Sequence, residues 1–186
     1  IGSVADKVIH ESPVPVWLVP SQLHEGILYD KLPKNYILVP LDGSKNAEIV
    51  LPHVITLAKL RGVQNMEVLL INVMREPVDI GEPSAKELIR ENWSAMKTEG
   101  EMYLNEVVQR LAKEGITATA EQLVGDPAEE IVRYAANNTP RLIVMSTHGR
   151  TGFSRFVFGS TVENVMRRLQ KTPLLLVPSP ERKKAS

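Results

Sequence analysis

Short apolar runs and longer amphipathic stretches alternate along most of this chain. Apolar runs that are almost uninterrupted are typical of parallel strands buried on both faces of a sheet. They predict five strands, at 36–41, 66–73, 116–124, 142–145 and 174–177. Stretches with apolar residues at every third or fourth position separate these runs and predict helices. Strands that alternate with helices imply right-handed crossovers and a parallel sheet covered on both faces, which is a doubly wound α/β domain.

The ends of the predicted helices carry residues that favour helix starts and stops. Ser44 is placed to cap the first helix, and Pro52 inside that helix predicts a bend. Ser84 begins a long helix that ends at Gly115. Two shorter helices complete the pattern, one starting at Asp126-Pro127 and one spanning 160–169.

The first twenty residues repeat the end of the domain. They read IGSVADKVIHESPVPVWLVP, in which Gly2-Ser3 matches Gly159-Ser160 and VWLVP matches LLLVP with a slip of one residue. A unit that recurs in this way predicts a tandem repeat, with the last piece of one copy followed by all of the next. The expected organisation is a terminal helix and strand of an upstream repeat over 1–20, a linker over 21–35, the complete domain over 36–179 and a charged tail over 180–186.

Composition excludes several classes of function. The 22 basic residues balance the 22 acidic ones, which argues against a partner such as duplex DNA or an anionic membrane surface. Because the chain has no cysteine, it has no disulfide, thiolate metal site or cysteine nucleophile, and a cytoplasmic location is expected. No apolar run approaches the roughly 20 residues that a membrane-spanning helix needs.

Candidate ligand-binding residues follow two of the predicted strands. In open α/β sheets, ligands bind beyond the carboxyl ends of the strands, where the strand order reverses. Asp42 follows the first strand in the segment VPLDGS, and a loop over 146–160 follows the fourth strand. If the first and fourth strands are neighbours, these two features meet across one crevice.

The loop over 146–160 has the features of a phosphate site. Gly149 allows close approach to an anion or a positive φ, and Gly152 adds mobility or a turn. Gly159 and Ser160 open a helix, whose unpaired amides and positive dipole end favour negative charge. The segment therefore predicts phosphate binding.

Several of these residues have simpler interpretations. Taken alone, Asp42 is better explained as a cap for the next helix, and Ser160 would serve equally well as only an N-cap. His148 has no partner in sequence for a catalytic role and favours loop shaping or a ribose contact, while Arg150 and Arg155 either face phosphate or remain in solvent. No catalytic residue and no metal-ligand spacing is predicted, and the P-loop, G-x-G-x-x-G and G-x-S-x-G motifs are absent from the sequence.

The motifs together resemble the universal stress protein family over about residues 35–178. They are VPLDGS, LLINV, QLVGDPAEEIV and VMSTHGRTGFSRFVFGSTVENVM, in that order. ATP-binding members of the family carry G-x-x-G, nine residues and G-[ST]. Gly149 and Gly159-Ser160 match that pattern, and Ser146 stands at the position of its first glycine. A serine there would either crowd the ligand or contribute a hydroxyl.

The resemblance implies a five-stranded parallel sheet of order 3-2-1-4-5 with helices on both faces. It also implies that Asp42 binds the ribose or the adenine edge, with an apolar adenine pocket on one side and phosphate contacts on the other. Any Mg²⁺ would be held mainly through the phosphates, because the sequence offers no carboxylate cluster. The implied nucleotide-binding residues are Pro40, Leu41, Asp42, Val73, Met145, Ser146, His148, Gly149, Arg150, Gly152, Gly159, Ser160 and Thr161.

Family members often pair through the fifth strand. The resemblance therefore implies either a homodimer or pairing of 174–177 with the repeated segment 14–19, and no nucleic-acid or membrane partner. The expected function is an ATP-binding stress-response or signalling module. Two alternatives stay open, a slow ATPase that uses Asp42 and a metal, and an interaction module that binds no nucleotide.

Overall fold

The fold is that of a computed structural model, which describes residues 7–9, 11–77, 83–149 and 159–179, with the side chains of 83–86 left out. Six strands form one sheet within these ranges. They are β1 (Val16–Leu18), β2 (Tyr36–Pro40), β3 (Glu67–Met74), β4 (Ala118–Val124), β5 (Leu142–Ser146) and β6 (Leu174–Val177).

Helices connect the strands and cover the sheet. They are α1 (Glu25–Leu28), α2 (Lys45–Glu48), α3 (Leu51–Arg61), α4 (Pro83–Lys113), α5 (Pro127–Asn138) and α6 (Ser160–Arg168). Residues 7–9 and 11 are helical as well. In the described part of the chain, none of the helices combines the length and the apolar character that crossing a bilayer requires.

The strand order is β1-β6-β5-β2-β3-β4. The expectation of five parallel strands ordered 3-2-1-4-5 is corrected, because the N-terminal segment adds a sixth strand that lies antiparallel to β6. Strands β2 to β6 are parallel and are ordered β4-β3-β2-β5-β6. The first and fourth predicted strands, β2 and β5, are therefore hydrogen-bonded neighbours, as the site requires.

The repeated N-terminal segment pairs with the end of the domain. Val16 lies opposite Leu176, and Leu18 lies opposite Leu174. The predicted pairing of segment 14–19 with the fifth domain strand is confirmed within the chain for residues 16–18. β1 thus covers the backbone edge that β6 would otherwise expose.

The predicted linker over 21–35 contains a short helix and is tied to the domain. His24 caps α1 by accepting a hydrogen bond from the Gly26 amide at 3.1 Å. Asp30 forms ion pairs with Arg61 and Arg141, and the hydrogen bond and charge of Arg61, with the charge of Arg141, hold the pKa of Asp30 below its usual value. The linker is therefore attached near the starts of β2 and β5.

The helix predicted after Ser44 is divided in two. The Ser44 hydroxyl accepts a hydrogen bond from the Ala47 amide at 3.1 Å and caps α2. Pro52 lies in the first turn of α3, where its missing N–H is not needed. The predicted bend at Pro52 takes the form of a break, because the chain leaves α2 after Glu48 and turns at Ile49 and Val50, directly before the helical turn that holds Pro52.

Buried side chains lie on both faces of the sheet. Along β2, Leu38 packs into one cluster while Ile37 and Val39 pack into the other, because successive side chains of a strand point to opposite faces. The cluster around Val39 includes residues of α2, α3 and α4. The cluster around Leu38 includes residues of α5 and α6. The prediction of helices on both faces is confirmed.

Helix α4 reaches past the sheet. Its 31 residues span about 46 Å at 1.5 Å per residue, which exceeds the length of the longest strand. Its second half is packed through Leu104, Val107 and Leu111, whereas most side chains over 87–99 are exposed. The first half therefore extends beyond the carboxyl ends of the strands and forms a wall beside them.

Thr139, which ends α5, has a left-handed backbone with a φ of 47°. A β-branched residue is strained in this region, whereas glycine is not. We expect Thr139→Gly to stabilise the protein by about 1 kcal/mol, which corresponds to a rise in Tm of about 2–4 °C for a chain of this size. Thermal unfolding followed by circular dichroism measures the change.

The matched control for this prediction is Thr56→Gly, inside α3. Glycine in a helix interior costs about 1 kcal/mol, so the control should lower Tm. If both substitutions lower Tm, the strain at Thr139 is absent.

Candidate functional site

An open cavity of about 690 Å³ lies at the carboxyl ends of the central strands. The ends of β2, β3 and β5 form its floor, α4 forms one wall, and α5 and α6 form the other. Most of the nucleotide-binding residues implied by the sequence line this cavity: Pro40, Leu41, Asp42, Val73, Met145, Ser146, Gly149, Gly159, Ser160 and Thr161.

One side of the cavity is apolar. Met145 is buried at the end of β5, and Val73 is half-buried near the end of β3. Pro127 and Ile131 of α5 face the same space. Planar rings gain free energy from burial against such a surface, so this side of the cavity suits a nucleobase.

Asp42 follows β2 and shapes the turn into α2. Its Oδ1 accepts a hydrogen bond from the Ser44 amide at 2.9 Å, and the cap itself is supplied by Ser44. The interpretation of Asp42 as the helix cap is therefore replaced by a turn-forming role. The half-buried carboxylate also lines the cavity, so it serves the turn and remains placed to contact a ligand.

Gly149 lies against Asp42. A Cβ at position 149 would overlap Asp42 Oδ2, and the Gly149 carbonyl accepts a hydrogen bond from Asn46 Nδ2 at 3.3 Å. Gly149 is not among the described glycines with positive φ. Glycine at this position is therefore a matter of space, since a side chain here would displace the Asp42 carboxylate.

The start of α6 faces the cavity. Gly159 is the N-cap and makes no side-chain cap, so Ser160 is the first helical residue and its interpretation as an N-cap is wrong. The Gly159 amide donates to the Thr147 carbonyl at 3.1 Å. The amides of the first helical turn after it lack partners within the helix, and the exposed Ser160 hydroxyl lies beside them. Donors of this kind suit an anion.

The residues at the end of β5 and directly after it are hydrogen-bonded to one another. The buried Ser146 hydroxyl donates to the His148 carbonyl at 2.6 Å. His148 Nδ1 lies 3.0 Å from the Thr147 hydroxyl, which accepts from the Ser179 amide at 3.3 Å. His148 is buried and is not among the residues that line the cavity. It therefore shapes the loop.

Two of the implied nucleotide-binding residues, Arg150 and Gly152, lie outside the described residues, as does Arg155. Asp42 lines the cavity, but no group of three or more acidic or histidine side chains in the described ranges is arranged to hold a metal ion. Binding of Mg²⁺ through phosphates stays a prediction.

Sequence reasoning missed the wall that α4 provides. Met96, Glu99 and Tyr103 line the cavity, and so does Asn72 of β3. Met96 and Tyr103 lie seven residues apart, a spacing that in the sequence of a helix indicates packing against the core. Burial, together with the carboxylates of Glu48 and Asp42, raises the pKa of the Tyr103 hydroxyl, which stays protonated at neutral pH. Asn72 carried a signal, since it interrupts an otherwise apolar strand.

Comparisons with known proteins agree with this fold. The model of the universal stress protein family matches residues 35–178. Universal stress protein MJ0531 of Methanocaldococcus jannaschii is 34% identical over 148 residues, which cover 78% of this chain and 83% of that protein. Universal stress protein MJ0577 of the same organism is 30% identical over 165 residues, covering 82% and 96%.

Solved structures show the same similarity. The structure of MJ0577 matches with a TM-score of 0.66 and 29% identity over 79% of this chain and 97% of that one. A universal stress protein from Archaeoglobus fulgidus matches 96% of this chain but 55% of its own, with a TM-score of 0.61, and its 23% identity supports the fold alone. Because the family match spans most of the sequence, the chain belongs to the universal stress protein family.

Proposed function

We propose that this protein binds an adenine nucleotide, with ATP as the expected ligand, and acts as a stress-response or signalling module. The supporting observation is one cavity in which three chemically different surfaces face one another. An apolar side at Val73 and Met145 suits the base, Asp42 suits the ribose hydroxyls, and the start of α6 suits the phosphates.

The phosphate side rests on the geometry of α6. The helix has nine residues and lacks a side-chain cap, so its first-turn amides are available to an anion. Ser160 and Thr161 line the cavity and would add hydroxyl donors. When ATP is bound, Mg²⁺ would neutralise part of the phosphate charge, with the phosphates as its principal ligands.

The polar groups favour binding without rapid hydrolysis. His148 is directed to Thr147 and the cavity lining does not include it. Ser146 uses its hydroxyl on the His148 carbonyl, so its replacement of the family's glycine is compatible with a ligand that lies against the backbone. We therefore place nucleotide binding ahead of the ATPase and ahead of the nucleotide-free module.

We also propose that residues 1–20 belong to an upstream repeat of the same kind. β1 occupies the edge of β6, the sequence of this segment repeats the end of the domain, and a longer family member matches nearly the whole chain with about half of its own length. In a chain that holds both repeats, β1 would pair with β6 as the strand of a second copy does in a homodimer.

The substitution Asp42→Asn tests the ligand contact of Asp42 separately from its role in the turn. Asparagine keeps the Oδ1 that accepts the Ser44 amide, so Tm should stay near that of the wild type. Loss of the charge-assisted hydrogen bonds to ribose should weaken ATP binding by about tenfold or more. Isothermal titration calorimetry measures the affinity, and Asp30→Asn, in the predicted linker, is the control. Unchanged ATP affinity in Asp42→Asn would contradict the ribose role.

Two glycine substitutions form a matched pair. At Gly159 an added Cβ meets its nearest neighbours at 3.9 and 4.0 Å, so Gly159→Ala should lower Tm only slightly, because alanine is a poorer N-cap than glycine. The methyl group would enter the phosphate side of the cavity and lower the ATP affinity by about tenfold. Gly149→Ala should lower both quantities, because its Cβ overlaps the Asp42 carboxylate. Thermal unfolding and calorimetry distinguish the two, and wild-type ATP affinity in Gly159→Ala would count against the proposed phosphate site.

Removal of residues 1–20 tests the assembly. The deletion uncovers the edge of β6, whose four residues are apolar, and an uncovered edge pairs readily with another chain. We expect the shortened protein to dimerise with rising concentration in analytical ultracentrifugation, whereas the full chain stays monomeric under the same conditions. A shortened protein that remains monomeric would show that β1 is not needed to cover the edge.

A further inference from the structure

Asn72 is a buried polar side chain in an otherwise apolar part of β3, with 8% of its surface exposed. Its Nδ2 donates to the Leu41 carbonyl at 2.8 Å, and the Leu41 amide donates to the Ile71 carbonyl at 2.8 Å. The β2–β3 pairing ends with Pro40 opposite Ile71. Asn72 therefore holds the next peptide, which joins Leu41 to Asp42.

Gln122 of β4 lies directly opposite Asn72 in the sheet. Gln122 Nε2 donates to Asn72 Oδ1 at 3.3 Å. The orientation of both amides follows from the Leu41 carbonyl, which can only accept. Asn72 must present its NH₂ group to Leu41, which leaves its oxygen facing Gln122, and Gln122 must then present its own NH₂ group.

Gly100 of α4 provides the space for this pair. A Cβ at position 100 would overlap Gln122 Nε2 and would lie 3.3 Å from Asn72 Oδ1. Glycine in a helix interior is less favourable than alanine, and here its lack of a side chain lets the long helix lie directly against the two amides. Three elements, α4, β4 and β3, thus converge on one peptide of the candidate site.

We propose that Asn72 and Gln122, called here the amide pair, are positioning residues for the nucleotide site. The amide pair fixes the Leu41 carbonyl and thereby the place of the Asp42 carboxylate beside Gly149. This inference rests on the proposed function, in which Asp42 binds the ribose. Gln122 does not line the cavity, so its effect on a ligand passes through Asn72.

The amide pair acts on one part of the ligand only. Asp42 follows β2, whereas the phosphate side is formed by the start of α6, which follows β5. Release of the Leu41–Asp42 peptide should therefore weaken binding of the nucleoside and leave binding of a bare polyphosphate unchanged. A purely structural role of the amide pair would affect both ligands alike.

Gln122→Glu is the sharpest variant, because it changes the site without altering a residue in the cavity lining. A carboxylate cannot donate to Asn72 Oδ1, so Asn72 turns its NH₂ group toward Glu and its bond to Leu41 is lost. Asn72→Leu removes the same bond directly. Val54→Ala, a fully buried core position distant from both amides in sequence, is the control for general loss of stability.

The first measurement needs no ligand. Nuclear magnetic resonance should show a shifted Leu41 carbonyl carbon in Gln122→Glu and Asn72→Leu. Exchange of the Ser44 amide, which is bonded to Asp42, should be about five- to tenfold faster than in Val54→Ala. A Leu41 carbonyl signal that is unchanged in both variants would overturn the inference.

The second measurement compares adenosine with tripolyphosphate by calorimetry. Both variants should bind adenosine about five- to tenfold more weakly than the wild type and should bind tripolyphosphate equally well. Equal weakening of both ligands would overturn the positioning role. If the wild type binds neither ligand, the proposed function fails, and the role of the amide pair in nucleotide binding fails with it. The Leu41 carbonyl signal still decides whether the amide pair holds the Leu41–Asp42 peptide.

Discussion

The candidate site depends on the contact between Gly149 and the Asp42 carboxylate. β2 and β5 are adjacent strands, so the segments that follow them leave the sheet side by side. The Asp42 carboxylate lies so close to Gly149 that a side chain at position 149 would displace it. The contact places the Asp42 carboxylate in the same cavity that the first turn of α6 faces.

A second close approach supports the first. Gly100 lets α4 lie against Gln122, and the hydrogen bonds from Gln122 to Asn72 and from Asn72 to Leu41 connect that helix to the peptide preceding Asp42. Buried amides of this kind are costly unless they are paired. Their presence at the carboxyl edge of an apolar sheet is explained by the turn after β2, which leaves a carbonyl beyond the last backbone pair.

Local signals in the sequence predicted some features and misassigned others. The apolar runs predicted five strands because buried parallel strands need apolar residues on both faces. Pro52 predicts an interruption of its helix because its ring removes an amide and crowds the preceding turn, and the structure places the break at Ile49 and Val50 with Pro52 in the next first turn. By sequence, Ser160 fits either a helix cap or a ligand contact, and the structure makes Gly159 the cap. The α4 wall was missed because Met96 and Tyr103 have the same spacing in a packed stripe as in a cavity lining.

Local propensity and spacing along the chain were sufficient to predict the alternation of strands and helices and the glycine-bearing loop after β5, and to indicate the family. By contrast, the neighbours of each residue were set by the folded domain. It paired β1 with β6, brought Gly149 against Asp42, and turned His148 toward Thr147. The first two contacts join residues far apart in sequence, and the third is one of two directions available to a side chain. Packing of the whole domain selects among such alternatives.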